Sequence, residues 1–254
     1  MRLAFQHTRY GLIELSRFPQ FWVPTLASPV IFFVLFGMGA ARDMVPRLSP
    51  GLGSEVVLAS FLCFGVLGLV FFQFGVGISE ERHLPWETTM RALPVGGAVR
   101  FAGRVLVALV VALVSIVIVV AVAAITTELR LGPLEWVVYL AAVLLGSVPF
   151  GLMGTTLGYA ASPKAALPIA NIGFLLLSFL GGLFIPLEGL PSFVQGLAPF
   201  LPTRHYLDLV LGVIGGRQDG GGWTTPALLL LGWSALFLAA AAAVYRRDDG
   251  LRYR

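Results

Sequence analysis

Side chains that could do catalytic chemistry are few in this chain and lie far apart in sequence. The three histidines are His7, His83 and His205, and the one cysteine is Cys63. Nucleophilic and metal-assisted catalysis both require such groups to converge on one site. The acidic pair Asp248–Asp249 follows two arginines and is typical of a solvated charge cluster. These residue types therefore predict neither a catalytic site nor a metal site.

The sequence also lacks a phosphate-binding loop of the G-x-x-x-x-G-K-[ST] type. Such a loop needs a lysine among glycines to hold the phosphates of a nucleotide. The only lysine is Lys164, in the context SPKAAL. We therefore expect no nucleotide hydrolysis in this chain.

The composition is that of an integral membrane protein. Hydrophobic residues make up 57% of the 254 residues and charged residues 12%, against about 25% charged residues in a soluble domain. A helix needs about 20 apolar residues to cross the hydrocarbon core. Six windows are long enough: Trp22–Ala41, Val56–Ile78, Val105–Ile125, Trp136–Ala161, Ala165–Ile185 and Thr225–Tyr245. We predict a single all-α transmembrane domain over residues 1–254, with six transmembrane helices and a kink at Pro149.

The basic residues predict how these helices are oriented. With six spans, both termini lie on one side, which would hold twelve of the 17 lysines and arginines. Basic residues near span ends concentrate in the cytoplasm, so both termini are predicted to be cytoplasmic. The net charge of +4 has the same explanation and does not indicate nucleic-acid binding. Residues 1–18 are predicted to form an amino-terminal interfacial helix.

A few polar and small residues fall inside the predicted spans. Asn171 lies in the fifth span and Thr155 in the fourth. Polar side chains at such depth commonly hydrogen-bond between helices, and lining of a cavity is the alternative for both. Gly154 and Gly158 form a GxxxG pair, which lets helix backbones approach closely. We interpret this pair as helix packing, with a subunit interface as the alternative.

The stretch Gly181–Leu211 is apolar enough to enter a bilayer but cannot cross it as one helix. A proline inside a helix costs about 3 kcal/mol, and this stretch contains Pro186, Pro191, Pro199 and Pro202. A broken backbone in hydrocarbon is tolerated only where protein or a water-filled cavity covers it. We predict an outer re-entrant helical hairpin over residues 181–214, between helices five and six. Its short helices are expected at Pro191–Ala198 and His205–Ile214, with the prolines setting where the chain turns.

The longest cytoplasmic connection, Ser79–Arg104, is also the most charged. It presents Trp86 among charged residues, followed by the apolar step Met90–Leu93. A tryptophan can anchor a protein interface or lie in the lipid headgroup layer. Taken alone, these residues leave both interpretations open.

Both segments resemble parts of one family, the membrane subunits of type-2 ATP-binding-cassette exporters. That family carries a similar proline pattern before its last helix, which this chain matches at Phe184–Pro186, Leu190–Pro191 and Leu201–Pro202. It also carries a charged and leucine-rich segment after its second helix, matched here by Glu81–Arg82, Trp86, Arg91–Ala92 and Pro94. Pro85 departs from the pattern, since glycine is more typical there. The resemblance extends over the whole chain in length, number of spans and order of the two segments.

The resemblance implies a permease subunit without its own motor. Family members act in pairs, so the expected partners are a second permease subunit, taken to be identical, and a cytoplasmic ATP-binding-cassette ATPase. The segment 79–98 would act as a coupling helix in a cleft of the ATPase, through Glu80, Glu81, Arg82, Trp86, Glu87 and Arg91. The hairpin would close the outer end of the path, with Phe184, Pro186, Glu188, Leu190 and Pro191 as the outer gate.

The resemblance indicates only the general class of molecule that the chain would transport. The expected function is ATP-driven export of a hydrophobic or amphipathic cargo, such as a drug, a lipid or a lipid-linked glycan, across a prokaryotic plasma membrane. We expect no cofactor in this chain, since ATP and magnesium would be bound by the partner ATPase. Two interpretations of Glu188 remain open: a gating or cargo role, or a side chain that is partly exposed at the outer interface.

Other functions remain open at this point. A permease of the haem pathway or an importer-like permease would share the same architecture. A membrane-embedded lipid-modifying enzyme would need acidic or histidine clusters in an inner-membrane cleft. A motorless channel or scramblase would be active without nucleotide.

Overall fold

The computed structural model describes residues 13, 19–37, 53–84, 97–185, 187–215 and 222–252, and every regular element in these ranges is a helix. The helices are α1 Pro19–Phe32, α2 Gly53–Glu81, α3 Gly97–Thr126, α4 Pro133–Gly146, α5 Val148–Ala160, α6 Pro163–Leu180, α7 Ser192–Leu197, α8 Pro202–Val213 and α9 Thr224–Arg252. A π turn, Phe33–Gly37, continues α1, and 3-10 turns occupy Leu187–Gly189 and Ala198–Phe200.

The described helices confirm the all-helical membrane class. They form five segments that are long and apolar enough to cross a bilayer. Four of these segments are single helices, α2, α3, α6 and α9, and the fifth consists of α4 and α5 together. The first predicted span appears as a shorter apolar helix over Leu26–Gly37, and residues 38–41 lie outside the described part. The number of six spans therefore stays a prediction, as does the interfacial helix over 1–18.

Helix α2 forms the centre of the bundle, because most of its length is buried by its neighbours. It packs against α5 through the glycine pair predicted to bring helices together. A β-carbon at Gly158 would lie 2.6 Å from the carbonyl oxygen of Phe74, and one at Gly154 would lie 2.9 Å from that of Phe71. Only glycine permits this approach, so the packing interpretation is confirmed, with the contact made inside this chain.

The fourth predicted span is broken at Ser147, which confirms the kink expected from Pro149. The Ser147 N–H bonds to the carbonyl of Leu144, 3.3 Å away, instead of the Val143 carbonyl that a regular helix would use. The freed Val143 oxygen accepts a hydrogen bond of 2.6 Å from the hydroxyl of Tyr206 in α8. The break is therefore satisfied by protein, as a backbone in hydrocarbon requires.

The fifth predicted span ends earlier than expected, at Leu180 instead of Ile185. Its last turn is closed by bonds from Gly182 N–H to the Phe179 carbonyl and from Leu183 N–H to the Ser178 carbonyl. This pair of bonds defines a Schellman motif, which places a left-handed residue just beyond the helix. Gly182 has a φ of 78°, a conformation that favours glycine. The expectation that prolines set this turn was wrong, since the turn is complete before position 186.

Candidate coupling surface and outer gate

The connection between α2 and α3 is closed at its base by an ion pair. Glu81 ends α2, and its carboxylate pairs with Arg104 near the start of α3. Glu80, beside it, is exposed. Trp86, Glu87 and Arg91 lie outside the described residues, so the coupling role predicted for all these side chains stays a prediction.

Arg82 turns inward, although it was expected on the same surface. One Nη donates to the Tyr159 carbonyl at 2.9 Å and the other to the Ala161 carbonyl at 2.7 Å. Ser79 donates its hydroxyl to the same Ala161 carbonyl at 3.0 Å. Tyr159 lies in the last turn of α5 and Ala161 directly follows the helix, where carbonyls have no partner within the helix. Arg82 thereby caps α5 from the end of α2.

Asp248 completes this arrangement from the last helix. Its Oδ1 lies 2.7 Å from Nη1 of Arg82, and both side chains are about nine-tenths buried. The sequence interpretation of Asp248 as part of a solvated cluster was wrong for this residue. The signal available was an arginine four residues beyond the predicted span, where a buried cation needs an acidic partner, but nothing in the sequence identified which acid.

At the other end of the bundle, the segment after α6 packs inward. The ring of Phe184 lies between those of Phe32 in α1 and Phe64 in α2, with centroid distances of 5.5 and 4.7 Å. Leu190 is buried, and its carbonyl accepts a bond of 2.8 Å from the Gln195 side chain. Phe184 therefore joins the base of the predicted gate to α1 and α2.

Of the remaining predicted gate residues, only Pro191 has a described side chain. Pro191 is exposed and precedes the first turn of α7. Pro186 lies outside the described residues, as does the side chain of Glu188. The gate therefore stays a prediction, whereas the two short helices it needs are present as α7 and α8.

Helix α7 and the 3-10 turn after it have one apolar face turned away from the bundle. Val194 and Ala198 are buried, while Phe193, Leu197 and Phe200 are exposed. The exposed face carries no charge, and it is apolar enough to face lipid rather than water.

The two candidate cavity residues are not brought together. Thr155 is buried, and its hydroxyl bonds to the Gly151 carbonyl of its own helix at 2.8 Å. Asn171 is exposed on the outward face of α6. A shared cavity is therefore not formed by these two residues within this chain.

Glu55 is a buried acid that sequence reasoning did not single out. It lies in the first turn of α2, only 1% exposed, and its carboxylate accepts a hydrogen bond from the backbone N–H of Arg130. Its carbonyl accepts a bond of 2.9 Å from the hydroxyl of Tyr139 in α4. Glu55 therefore fastens the loop between α3 and α4 to the end of the central helix.

Comparison with known proteins places this architecture in a family. Residues 4–214 match the model of the family described as ABC-2 type transporter. The chain is also 28% identical, over 149 residues, to the protein named "Putative transport permease YvfS" of Bacillus subtilis (strain 168). That match covers 59% of this chain and 61% of the relative, so the chain spans about three fifths of the length of the curated relative it matches. With the family model extending from the first span through the short helix α8, this chain belongs to the ABC-2 type transporter family, as a membrane permease subunit.

Proposed function

We propose that this chain is the membrane subunit of an ATP-driven exporter and works with a separate cytoplasmic ATPase subunit. The observation that carries the proposal is the fastening of the connection between α2 and α3. The Glu81–Arg104 pair closes its base, and Arg82 ties its beginning to α5 and α9. Because the base of the connection is held in this way, a displacement of the connection by the ATPase would be transmitted to several helices at once.

The surface offered to the ATPase would be formed by the segment 79–98. Glu80 is exposed there, and Trp86, Glu87 and Arg91 follow in sequence. Aromatic and arginine side chains commonly dominate protein interfaces. Glu81 would support this surface through Arg104. ATP and magnesium would bind in the partner, with no cofactor in this chain.

A second permease subunit, identical to this one, is proposed against the outward face of α6. Beyond Lys164 in the first turn of α6, this face is apolar except for Asn171, which has no hydrogen-bond partner among the described residues. Lipid tails cannot bond to an amide group, so a polar side chain at such depth normally faces a partner helix or a water-filled path. Between two subunits, Asn171 would line the path.

The hairpin is proposed to lie in the outer half of the membrane and to close that path. Phe184 and Leu190 fix its beginning against the bundle, and the exposed Phe193, Leu197 and Phe200 would face lipid. A cargo passing beneath such a lid would be hydrophobic or amphipathic. The orientation, with both termini in the cytoplasm of a prokaryotic cell, rests on the distribution of basic residues.

The coupling part of the proposal is tested by co-purification with the ATPase. The double variant Trp86→Ala, Arg91→Glu should insert normally but lose most of the bound ATPase, since loss of an interface anchor commonly costs about 2 kcal/mol or more. Trp223→Ala is the matched control, because Trp223 is exposed beyond the other end of the bundle. Full recovery of the ATPase with the double variant would show that the segment 79–98 is not the docking surface. Cargo movement without any nucleotide would instead favour a motorless channel or scramblase.

A further inference from the structure

The buried contact between α2 and α9 has a consequence for how movement could travel through the subunit. We infer that Arg82 and Asp248 form a clasp that carries displacement of the coupling segment to the last span. The inference rests on the proposed function, because it requires the ATPase to move the coupling segment. Arg82 is then a positioning residue, and its side chain transmits the movement instead of touching the ATPase.

The clasp is built so that one side chain holds three elements. Arg82 extends from the turn just after α2, donates to two carbonyls at the end of α5 and pairs with Asp248 in α9. The guanidinium group is planar and presents several donors in fixed directions, so a shift of Arg82 displaces all its acceptors together. A cation at the carboxyl end of α5 is also favoured by the helix dipole.

The clasp joins two helices that the bundle otherwise keeps apart. Helix α5 packs between α2 and α9. Its contacts with α9 include a bond of 3.5 Å from Thr156 to the Phe237 carbonyl and a ring contact between Tyr159 and Tyr245 at 5.1 Å. Most of the described side chains of α9 are otherwise exposed. The Arg82–Asp248 pair is therefore placed where a small displacement of α2 would move the inner end of α9.

The burial of the pair makes it sensitive to the loss of one charge. Removing one partner of a buried pair leaves the other charge without compensation, whereas removing both avoids that penalty. Arg82→Gln therefore breaks the clasp and removes the Arg82 cation from the buried carboxylate of Asp248. The double variant Arg82→Gln, Asp248→Asn breaks the clasp with a smaller risk of misfolding, and it keeps the inference testable if the single variant fails to assemble.

The experiment uses the complex of this chain with its ATPase subunit in lipid nanodiscs, in a Cys63→Ala background. A nitroxide label is placed at Leu84→Cys in one sample and at Arg246→Cys in another, since both positions are exposed. The probe is ATP with magnesium and orthovanadate, which traps the ATPase after closure. We expect both labels to change their spectra in the otherwise wild-type complex. In the Arg82→Gln and double variants, the change at 84 should persist and the change at 246 should be lost.

Arg247→Gln is the control, because Arg247 is exposed on the same helix as Asp248. It should leave both spectral changes intact. A full response at 246 in both clasp variants would overturn the inference, since movement would then reach α9 by another route. A wild-type complex in which the label at 84 itself stays silent would contradict the proposed coupling, and the clasp with it.

Discussion

The hydroxyl of Tyr206 lies 2.6 Å from the carbonyl oxygen of Val143, at the point where the fourth span is broken. The Tyr206 ring also occupies the space that a side chain at Gly146 would need. Helix α8 is thereby joined to the kink between α4 and α5. The short helix α8 and the broken span are thus one structural unit.

Removing this hydroxyl should destabilise the subunit. Tyr206→Phe leaves the Val143 carbonyl without a donor, and a buried unsatisfied acceptor costs about 1–3 kcal/mol. Tyr139→Phe is the matched control, because the Glu55 carbonyl that it contacts also accepts a bond within its own helix. Unfolding in mixed detergent micelles should rank Tyr206→Phe as clearly the more damaging change. Equal stability of the two variants would show that the kink does not depend on Tyr206.

The turn after α6 should depend on glycine rather than on proline. Gly182→Ala forces an L-residue into the left-handed region, at a cost of about 1–2 kcal/mol. Gly196→Ala should be neutral or stabilising, because its β-carbon would meet no atom within 4 Å. Thermal stability in detergent measures both changes. A Gly182→Ala protein as stable as the Gly196→Ala protein would contradict the assigned turn.

The contact between α2 and α5 should tolerate no side chain at its closest point. Gly158→Leu places atoms against the Phe74 carbonyl, and overpacking of this kind typically costs about 1–3 kcal/mol. Gly232→Leu, in α9, meets open space and serves as the control. The yield of folded protein after detergent extraction should fall for position 158 alone. Comparable yields would mean that the two helices are less closely packed than described.

The orientation can be measured with single cysteines in a Cys63→Ala protein. An impermeant reagent added outside intact cells should label Gly220→Cys and leave Gly250→Cys unlabelled, because basic residues concentrate on the side of the termini. Labelling after cell lysis shows that position 250 is reactive. The opposite pattern would reverse the assigned topology.

Long apolar runs made most of the helices predictable. The second span was expected at Val56–Ile78 and is found at Gly53–Glu81, because a run of that hydropathy has no alternative to a helix in lipid. The end of α6 was missed since apolar residues continue past Leu180, so hydropathy alone gives no stop. Gly181–Gly182 held the signal, in the glycine that a left-handed helix end requires.

The partners of buried charges could not be predicted in the same way. Arg82 and Asp248 are 166 residues apart, and no local pattern connects them. Glu55 was likewise not predicted to be buried, because an acid at the end of a span is expected to be exposed. The sequence does not show that the loop carrying Arg130 covers it. Pairings of this kind depend on how helices pack, which one sequence read along its length does not specify.

The proposed function requires that this permease move its cargo only with a separate ATPase. The most direct measurement is ATP hydrolysis by the tagged chain purified from its native membrane, compared with the same chain expressed without a partner. We predict vanadate-sensitive hydrolysis in the native preparation, accompanied by a cytoplasmic ATPase subunit in equal amount, and none from the chain alone. A native preparation that contains no ATPase, yet makes lipid vesicles permeable without nucleotide, would contradict the proposed dependence of transport on an ATPase.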